Sequence, residues 1–297
     1  MKYLITGGAG HTSGPLTEKL LKAGLQVTLI GRDSSKLKKY AESGATIAAG
    51  SVEDPAFLEK AFSGADAAYL MLPPNMQVED FRAYQKAVSH NYIQALKSAG
   101  IKKVVVLSSI GAHMINGAGP VDGLAYFEQL ITKELPEVDV VFLRPSYFYK
   151  NFFQQIGLIK GMKIMGSNFT FGQEKMVLTH TNDIAETAFE LLDKLSFIGK
   201  TVRYIASDER TTDEIGQILS ASVGQPGIPW IQFPDDQAYG GMIQVGIKPS
   251  LAKDYVDMGI ALREGKMQED YWKNHPALGN TKLEDFAKEF ALAYATN

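Results

Sequence analysis

A cluster of glycines and one arginine carry the clearest chemistry in this chain. Residues 6–14 read Thr-Gly-Gly-Ala-Gly-His-Thr-Ser-Gly. An apolar run at 3–5 precedes them, and a segment with Leu16, Leu20 and Leu21 on one helical face follows. A second apolar run at 27–30 ends at Arg32. Strand, glycine turn, helix and strand in that order make the βαβ unit of a dinucleotide-binding fold. Gly7 permits a sharp turn, and Gly10 leaves no side chain between the backbone and a pyrophosphate. The free N–H groups of the helix start, with the helix dipole behind them, then face the anion. Gly7, Ala9, Gly10, His11 and Thr12 are therefore expected to contact the cofactor, His11 at the pyrophosphate or a ribose.

The residue after the second strand reads the adenosine ribose. A carboxylate there accepts from a 2′-hydroxyl, whereas an arginine fork matches a 2′-phosphate. Arg32 thus points to NADP(H) over NAD(H), with Lys36 adding positive charge one turn later. Asp33 keeps a carboxylate nearby and competes with that reading.

Strand and helix signals alternate to about residue 149. Apolar runs at 45–49, 67–72, 103–107 and 138–143 add four strands, and helices are expected near 55, 79–99 and 124–134. Six strands with helical crossovers imply an α/β fold, a doubly wound, mainly parallel Rossmann sheet. Ligands of such sheets lie beyond the carboxyl ends of the strands. That rule adds Ser51, Leu72, Pro73, Ser108 and Ser109 as cofactor contacts, one of the two serines through its hydroxyl to a ribose.

Beyond residue 149 the pattern becomes irregular, with helices at 151–161, from 181, from 211 or 212, and at 283–294, and a strand at 200–206. Residues 1–150 are read as the nucleotide-binding domain, with 176–206 returning to it. Residues 151–297 are read mainly as a smaller C-terminal α/β lobe covering a substrate cleft. Residues 226–249 show no strict periodicity.

The net charge of −3, without a basic block, argues against a nucleic-acid surface. Having no cysteine, the chain makes no disulfide and no thiolate site. No metal constellation is evident, and Asp235-Asp236 reads as a solvated turn. No apolar run reaches the roughly 18 residues of a membrane span, and no signal-peptide layout opens the sequence, so a cytoplasmic protein is expected. Oligomeric state is not legible. The absence of a Gly-x-Ser-x-Gly elbow disfavours a hydrolase.

The Thr-Gly-Gly-Ala-Gly run at 6–10, Gly31-Arg32, the stretch Asn91 to His113, Leu143 to Phe148 and Thr181 to Ala185 together resemble the NmrA-like branch of the atypical short-chain dehydrogenase/reductases. The resemblance covers most of residues 1–190. It implies an extended Rossmann domain, a smaller C-terminal lobe and NADP(H). It also implies one of two activities: NAD(P)H-dependent quinone or azo reduction, or a non-catalytic redox sensor that acts on a protein partner. Two departures stand out. Ser13 occupies the place of the third glycine, and Tyr126 is followed four residues later by Leu130, where catalytic short-chain dehydrogenases carry a lysine.

Without that lysine, proton relay to a ketone by the usual route is disfavoured. Quinones need little acid catalysis, so hydride transfer to a small, conjugated acceptor remains open. The aromatic run Tyr147, Phe148, Tyr149, Phe152 and Phe153 suits such an acceptor or packs a lobe interior. His113 and Tyr147 are the catalytic candidates, although His113 reads first as a hydrogen-bonded loop residue with no chemical role.

Overall fold

The computed structural model describes residues 1–296, and the chain divides into two compact units. The first comprises Met1–Ser109, Gly123–Arg144 and Ile184–Arg203; the second comprises Ile110–Asp122, Pro145–Asp183 and Tyr204–Asn297. The sequence reading drew one boundary at residue 150. In the structure, residues 110–122 and 145–150 already group with the second unit, and only 184–203 of the expected return segment group with the first.

The central sheet begins with β1 (Lys2–Ile5), β2 (Gln26–Gly31), β3 (Thr46–Ala49), β4 (Ala67–Met71), β5 (Lys103–Leu107) and β6 (Asp139–Pro145). These six pair parallel in the order β6-β5-β4-β1-β2-β3. The intervening helices are α1 (Ser13–Lys22), α2 (Ser34–Glu42), α3 (Pro55–Phe62), α4 (Phe81–Ala99) and α5 (Asp122–Glu134). The central strands β4 and β5 are nearly all apolar and buried, as a sheet covered on both faces requires. Local chemistry sets the helix ends: Asp33, Asp54 and Asp80 each accept from a first-turn N–H, and Gly100 closes α4 with φ +68°.

The second unit carries β7 (Tyr147–Phe148), β8 (Met165–Ser167) and β9 (Met176–Thr179), with α6 (Gln155–Met162) between β7 and β8. After α7 (Thr181–Lys194), β10 (Lys200–Ile205) joins the central sheet beside β6, making it seven-stranded. Then follow β11 (Asp208–Arg210), α8 (Thr212–Ser222), β12 (Trp230–Gln232), α9 (Asp235–Gln244), α10 (Pro249–Arg263), α11 (Glu269–Asn274) and α12 (Leu283–Thr296). The strands β11, β9 and β7 form a small sheet, and β12 pairs with β8. The core of this unit is aromatic: Tyr149 stacks on Phe286, while Phe152 meets Phe286 and Trp230.

Residues 226–249, irregular in sequence, contain β12 and α9. No residue of α9 is buried, so no apolar stripe marks it. The expected solvated turn at Asp235 is instead an anchor. Its carboxylate takes both Arg263 NH groups, at 2.7 and 2.8 Å, and accepts from Asn168 Nδ2 at 2.9 Å. Among the described residues no helix is long and apolar enough to cross a membrane.

Candidate functional site

The glycine turn is built from backbone contacts that side chains would obstruct. Gly7 has φ +92°, and a Cβ there would lie 2.5 Å from Ser13 Oγ. A Cβ on Gly10 would lie 2.9 Å from the Gly7 carbonyl oxygen. Gly8 donates its N–H to Ile30 O at 2.8 Å, and a Cβ on Gly31 would sit 3.1 Å from Gly8 Cα. The turn therefore rests directly on the end of β2, which brings Arg32 beside it. Ser13, in the third-glycine place, is buried and donates its hydroxyl to Thr6 O at 2.7 Å. The bare backbone falls one residue later, at Gly14, which packs under the Tyr40 hydroxyl.

A cavity of about 300 Å³ opens over this turn. Of the expected cofactor contacts, it brings together Gly7, Ala9, Gly10, Arg32, Ser51 and Pro73. His11, Thr12, Leu72, Ser108 and Ser109 are not among its lining residues. Thr12 is buried at the start of α1, and His11 is exposed. Arg32 makes no ion pair among the described residues, and Lys36 adds a second cation to the wall. The Asp33 carboxylate is occupied as a helix cap, accepting from Ser35 N at 3.0 Å and Ser35 Oγ at 2.5 Å. Those bonds, the hydroxyl's first, hold its pKa below the ordinary carboxylate value.

Sequence reasoning missed Glu53 and Tyr84 on the same wall. Tyr84 lies in the first turn of α4, far along the chain from the glycine turn, and no motif marks it. Burial pushes its phenol up to about 12; the Glu53 carboxylate adds to the rise and Arg32 opposes it.

The two strand-end serines part company. Ser108 is buried and donates its hydroxyl to Glu128 Oε1, so it is committed within the first unit. Glu128 is clasped by Arg144 through Nε at 3.0 Å and an NH group at 2.6 Å. Ser109 is half-buried. Tyr126 pairs its hydroxyl with His90 Nε2 at 2.8 Å, and Leu130 is buried.

In the second unit, Tyr147 lies against Phe152 and Phe169, and burial raises its phenol. Tyr149 and Phe152 are core residues, whereas Phe148 and Phe153 are half-buried. His113 sits in a 3-10 turn over Ala112–Met114, with Nδ1 buried and unpartnered among the described residues. His180 is structural: it accepts from Asn182 N at 3.1 Å and meets Glu289 at 3.2 Å. No group of side chains suited to a metal ion occurs among the described residues.

A family model described as NAD(P)H-binding matches residues 7–194, from the glycine turn to the end of α7. The chain belongs to this family. Membership agrees with the NmrA-like resemblance and with NAD(P)H as the cofactor, and the matched residues include the glycine turn that lines the cavity. The chain is 30% identical over 201 residues to the uncharacterized oxidoreductase YesF of Bacillus subtilis, a match over 64% of this chain and 59% of that protein. A UDP-glucose 4-epimerase of Streptomyces lividans is 25% identical over 121 residues, or 38% of this chain and 37% of that protein. The chain thus spans less than two thirds of either relative's length.

The structure of the NADPH-dependent quinone oxidoreductase QOR2 from Escherichia coli, complexed with NADPH, is similar at TM-score 0.80 and 19% identity, over 97% of this chain and 99% of that one. The Citrobacter sp. triphenylmethane reductase complexed with NADP(H) is similar at TM-score 0.78 and 21% identity, over 98% of this chain and 100% of that one. The fold is thus one found among NAD(P)H-dependent oxidoreductases.

Proposed function

We propose that the protein is an NADPH-dependent reductase of small conjugated acceptors of the quinone class. The observation that carries the cofactor choice is Arg32, a cation without an ion-pair partner among the described residues, set with Lys36 on the cavity wall while Asp33 is consumed as a helix cap. Guanidinium and ammonium together suit a 2′-phosphate. The residues present fit the dinucleotide, since Gly7 and Gly10 leave bare backbone where a Cβ would collide.

When bound, the reduced nicotinamide supplies a hydride. This chain's own part is to bind and orient. Gly7, Gly8, Ala9 and Gly10 line the cavity with backbone. Half-buried Tyr147, backed by the core rings of Phe169 and Phe152, is the aromatic side chain offered to a flat acceptor. Buried Leu130 and the His90-bound Tyr126 leave no tyrosine–lysine relay, which favours acceptors needing little proton assistance. His113 is the candidate proton donor, since its ring is half-buried and Nδ1 is unpartnered among the described residues. The E. coli quinone oxidoreductase and the Citrobacter dye reductase, alike in fold, act on acceptors of this kind according to their names.

Two measurements test the reading. Arg32→Ala should weaken NADPH binding about ten- to a hundredfold, as loss of a charge-assisted pair implies, and leave NADH nearly unchanged. Equal losses for both dinucleotides refute the 2′-phosphate role. NADPH oxidation followed at 340 nm across quinones, azo dyes and enones tests turnover. Activity on quinones that falls in Tyr147→Ala, with NADPH affinity intact, supports the reductase. Tight NADPH binding with no acceptor turned over refutes it and points to a sensor.

A further inference from the structure

The tyrosines of the second unit divide by what their hydroxyls do. Tyr149 donates to Thr281 O at 3.2 Å, and Tyr271 donates to Glu209 Oε1 at 2.7 Å. Tyr204 donates to the Asp270 carboxylate, and Tyr294 accepts from Gln225 Nε2 at 2.6 Å. Tyr147 and Tyr255 differ. Both are half-buried, and neither hydroxyl has a hydrogen-bond partner among the described residues.

The elements that carry these two rings are fixed. Tyr147 lies against Phe152 and, edge-on, against Phe169, whose carbonyl accepts from Trp230 Nε1 at 3.0 Å. Tyr255 stands on α10 between two tethered residues. On one side, a Cβ on Gly119 would run into the Asp254 carbonyl. On the other, Val256 O accepts from Asn168 Nδ2 at 3.0 Å. A Cβ on Gly259 would strike the Asn168 side chain, and Arg263 donates to Asn168 O at 2.8 Å. Asn168 and Phe169 are consecutive, so one short segment grips α10 and backs the Tyr147 ring. The two phenols make no hydrogen bond to each other, yet they are near enough to interact. Burial raises the Tyr147 phenol and the Tyr255 phenol adds to the rise; burial raises Tyr255 as well. Side chains half-buried but crowded enough to be desolvated line a recess open to a small molecule.

We infer that Tyr255 is a second acceptor-contacting residue, and that the hydroxyls of Tyr147 and Tyr255 donate together to one carbonyl oxygen of the acceptor. The inference rests on the reductase reading and names the residues of this chain that hold the acceptor's oxygen. A protonated phenol donates one hydrogen bond, and a carbonyl oxygen accepts two. A quinone that takes the hydride of NADPH, leaving NADP⁺, gathers negative charge on oxygen. Two donors already aimed at that oxygen strengthen as the charge grows. Both phenols keep their protons, and the proton that completes the hydroquinone is left to His113.

The test is NADPH oxidation by the whole protein with 1,4-naphthoquinone. Tyr255→Phe keeps the ring and removes only the hydroxyl. It should lower kcat/KM about tenfold or more, the loss expected when a hydrogen bond to a developing charge is removed. The loss should fall mainly on kcat, because the charge exists only in the transition state. NADPH affinity and melting temperature should match the parent. Tyr147→Phe, on a different element, should show the same pattern, so a packing defect in α10 cannot imitate the result. The double variant should lose less than the product of the two single losses, since both hydroxyls serve one oxygen. A parent-like rate in Tyr255→Phe overturns the inference. Losses that multiply fully do so too, because they place the hydroxyls on separate oxygens. If the parent turns over no acceptor at all, the reductase reading itself fails, an outcome distinct from turnover that ignores Tyr255.

Discussion

Glu128→Ala is the most demanding perturbation of the first unit. Glu128 and Arg144 are 7% and 8% exposed, and two N–H groups of the guanidinium meet the two carboxylate oxygens at 3.0 and 2.6 Å. Ser108 Oγ donates to the same carboxylate. Truncation removes the anion against which a buried cation is held, and breaking such a pair costs about 3–5 kcal/mol. The Ser108 hydroxyl loses its acceptor as well, worth about 1 kcal/mol more, although the two losses share one group and do not simply add. Replacing both partners, as Glu128→Met with Arg144→Met, removes the charge imbalance and should recover most of the loss. Urea unfolding is the assay, followed by far-UV circular dichroism and by tryptophan fluorescence. Both tryptophans, Trp230 and Trp272, belong to the second unit, so fluorescence alone is a poor reporter of the first. A loss below about 1 kcal/mol for Glu128→Ala, the range of an exposed pair, refutes the reasoning. A double variant no more stable than the single one does so too.

Gly10→Ala places a methyl group 2.9 Å from Gly7 O and should abolish saturable NADPH fluorescence while circular dichroism stays native; ordinary binding would show that the turn yields cheaply. Tyr126→Phe loses only the bond to His90 and should oxidise NADPH at the parent rate, whereas a hundredfold fall would assign Tyr126 a proton-relay role. Asp235 has its pKa lowered chiefly by the Arg263 bond, so that stabilisation is full above the ordinary carboxylate value of 3.8 and is lost as pH falls through the lower folded value. Asp235→Asn should therefore melt below the parent at pH 6 and approach it near pH 3; a constant gap in melting temperature across that range contradicts the assignment.

The nucleotide-binding half was legible because its signals are local. Strands such as 103–107 are short β-branched runs, and helix starts carry an Asp or a Pro within a few residues of the apolar face. Arg32 and Ser51 could be placed because the parallel sheet puts its strand ends along one edge. Tyr84 could not, since its position on the wall depends on how α4 lies over the loop after β3. Ser108 and Ser109 look alike in sequence, and only the buried Glu128 separates them. The helix α9 escaped notice because Gly240 and Gly241 dilute its pattern and none of its residues is buried. The third-glycine question was decided by packing: Ser13 turns its hydroxyl onto Thr6 O, and the bare position shifts to Gly14.

The polypeptide passes from one unit to the other five times, at 109/110, 122/123, 144/145, 183/184 and 203/204. No single cut of the gene can release either unit whole. A truncation at residue 150 would strip β10 from the sheet and leave β6 as a raw edge. On the ribosome, the first unit cannot finish until residue 203 has emerged, by which time residues 110–122 and 145–183 of the second are already waiting. At about 5–20 residues per second, that leaves a nascent chain with an incomplete sheet for roughly 10–40 s. Recombination that shuffles whole domains is closed to such an architecture.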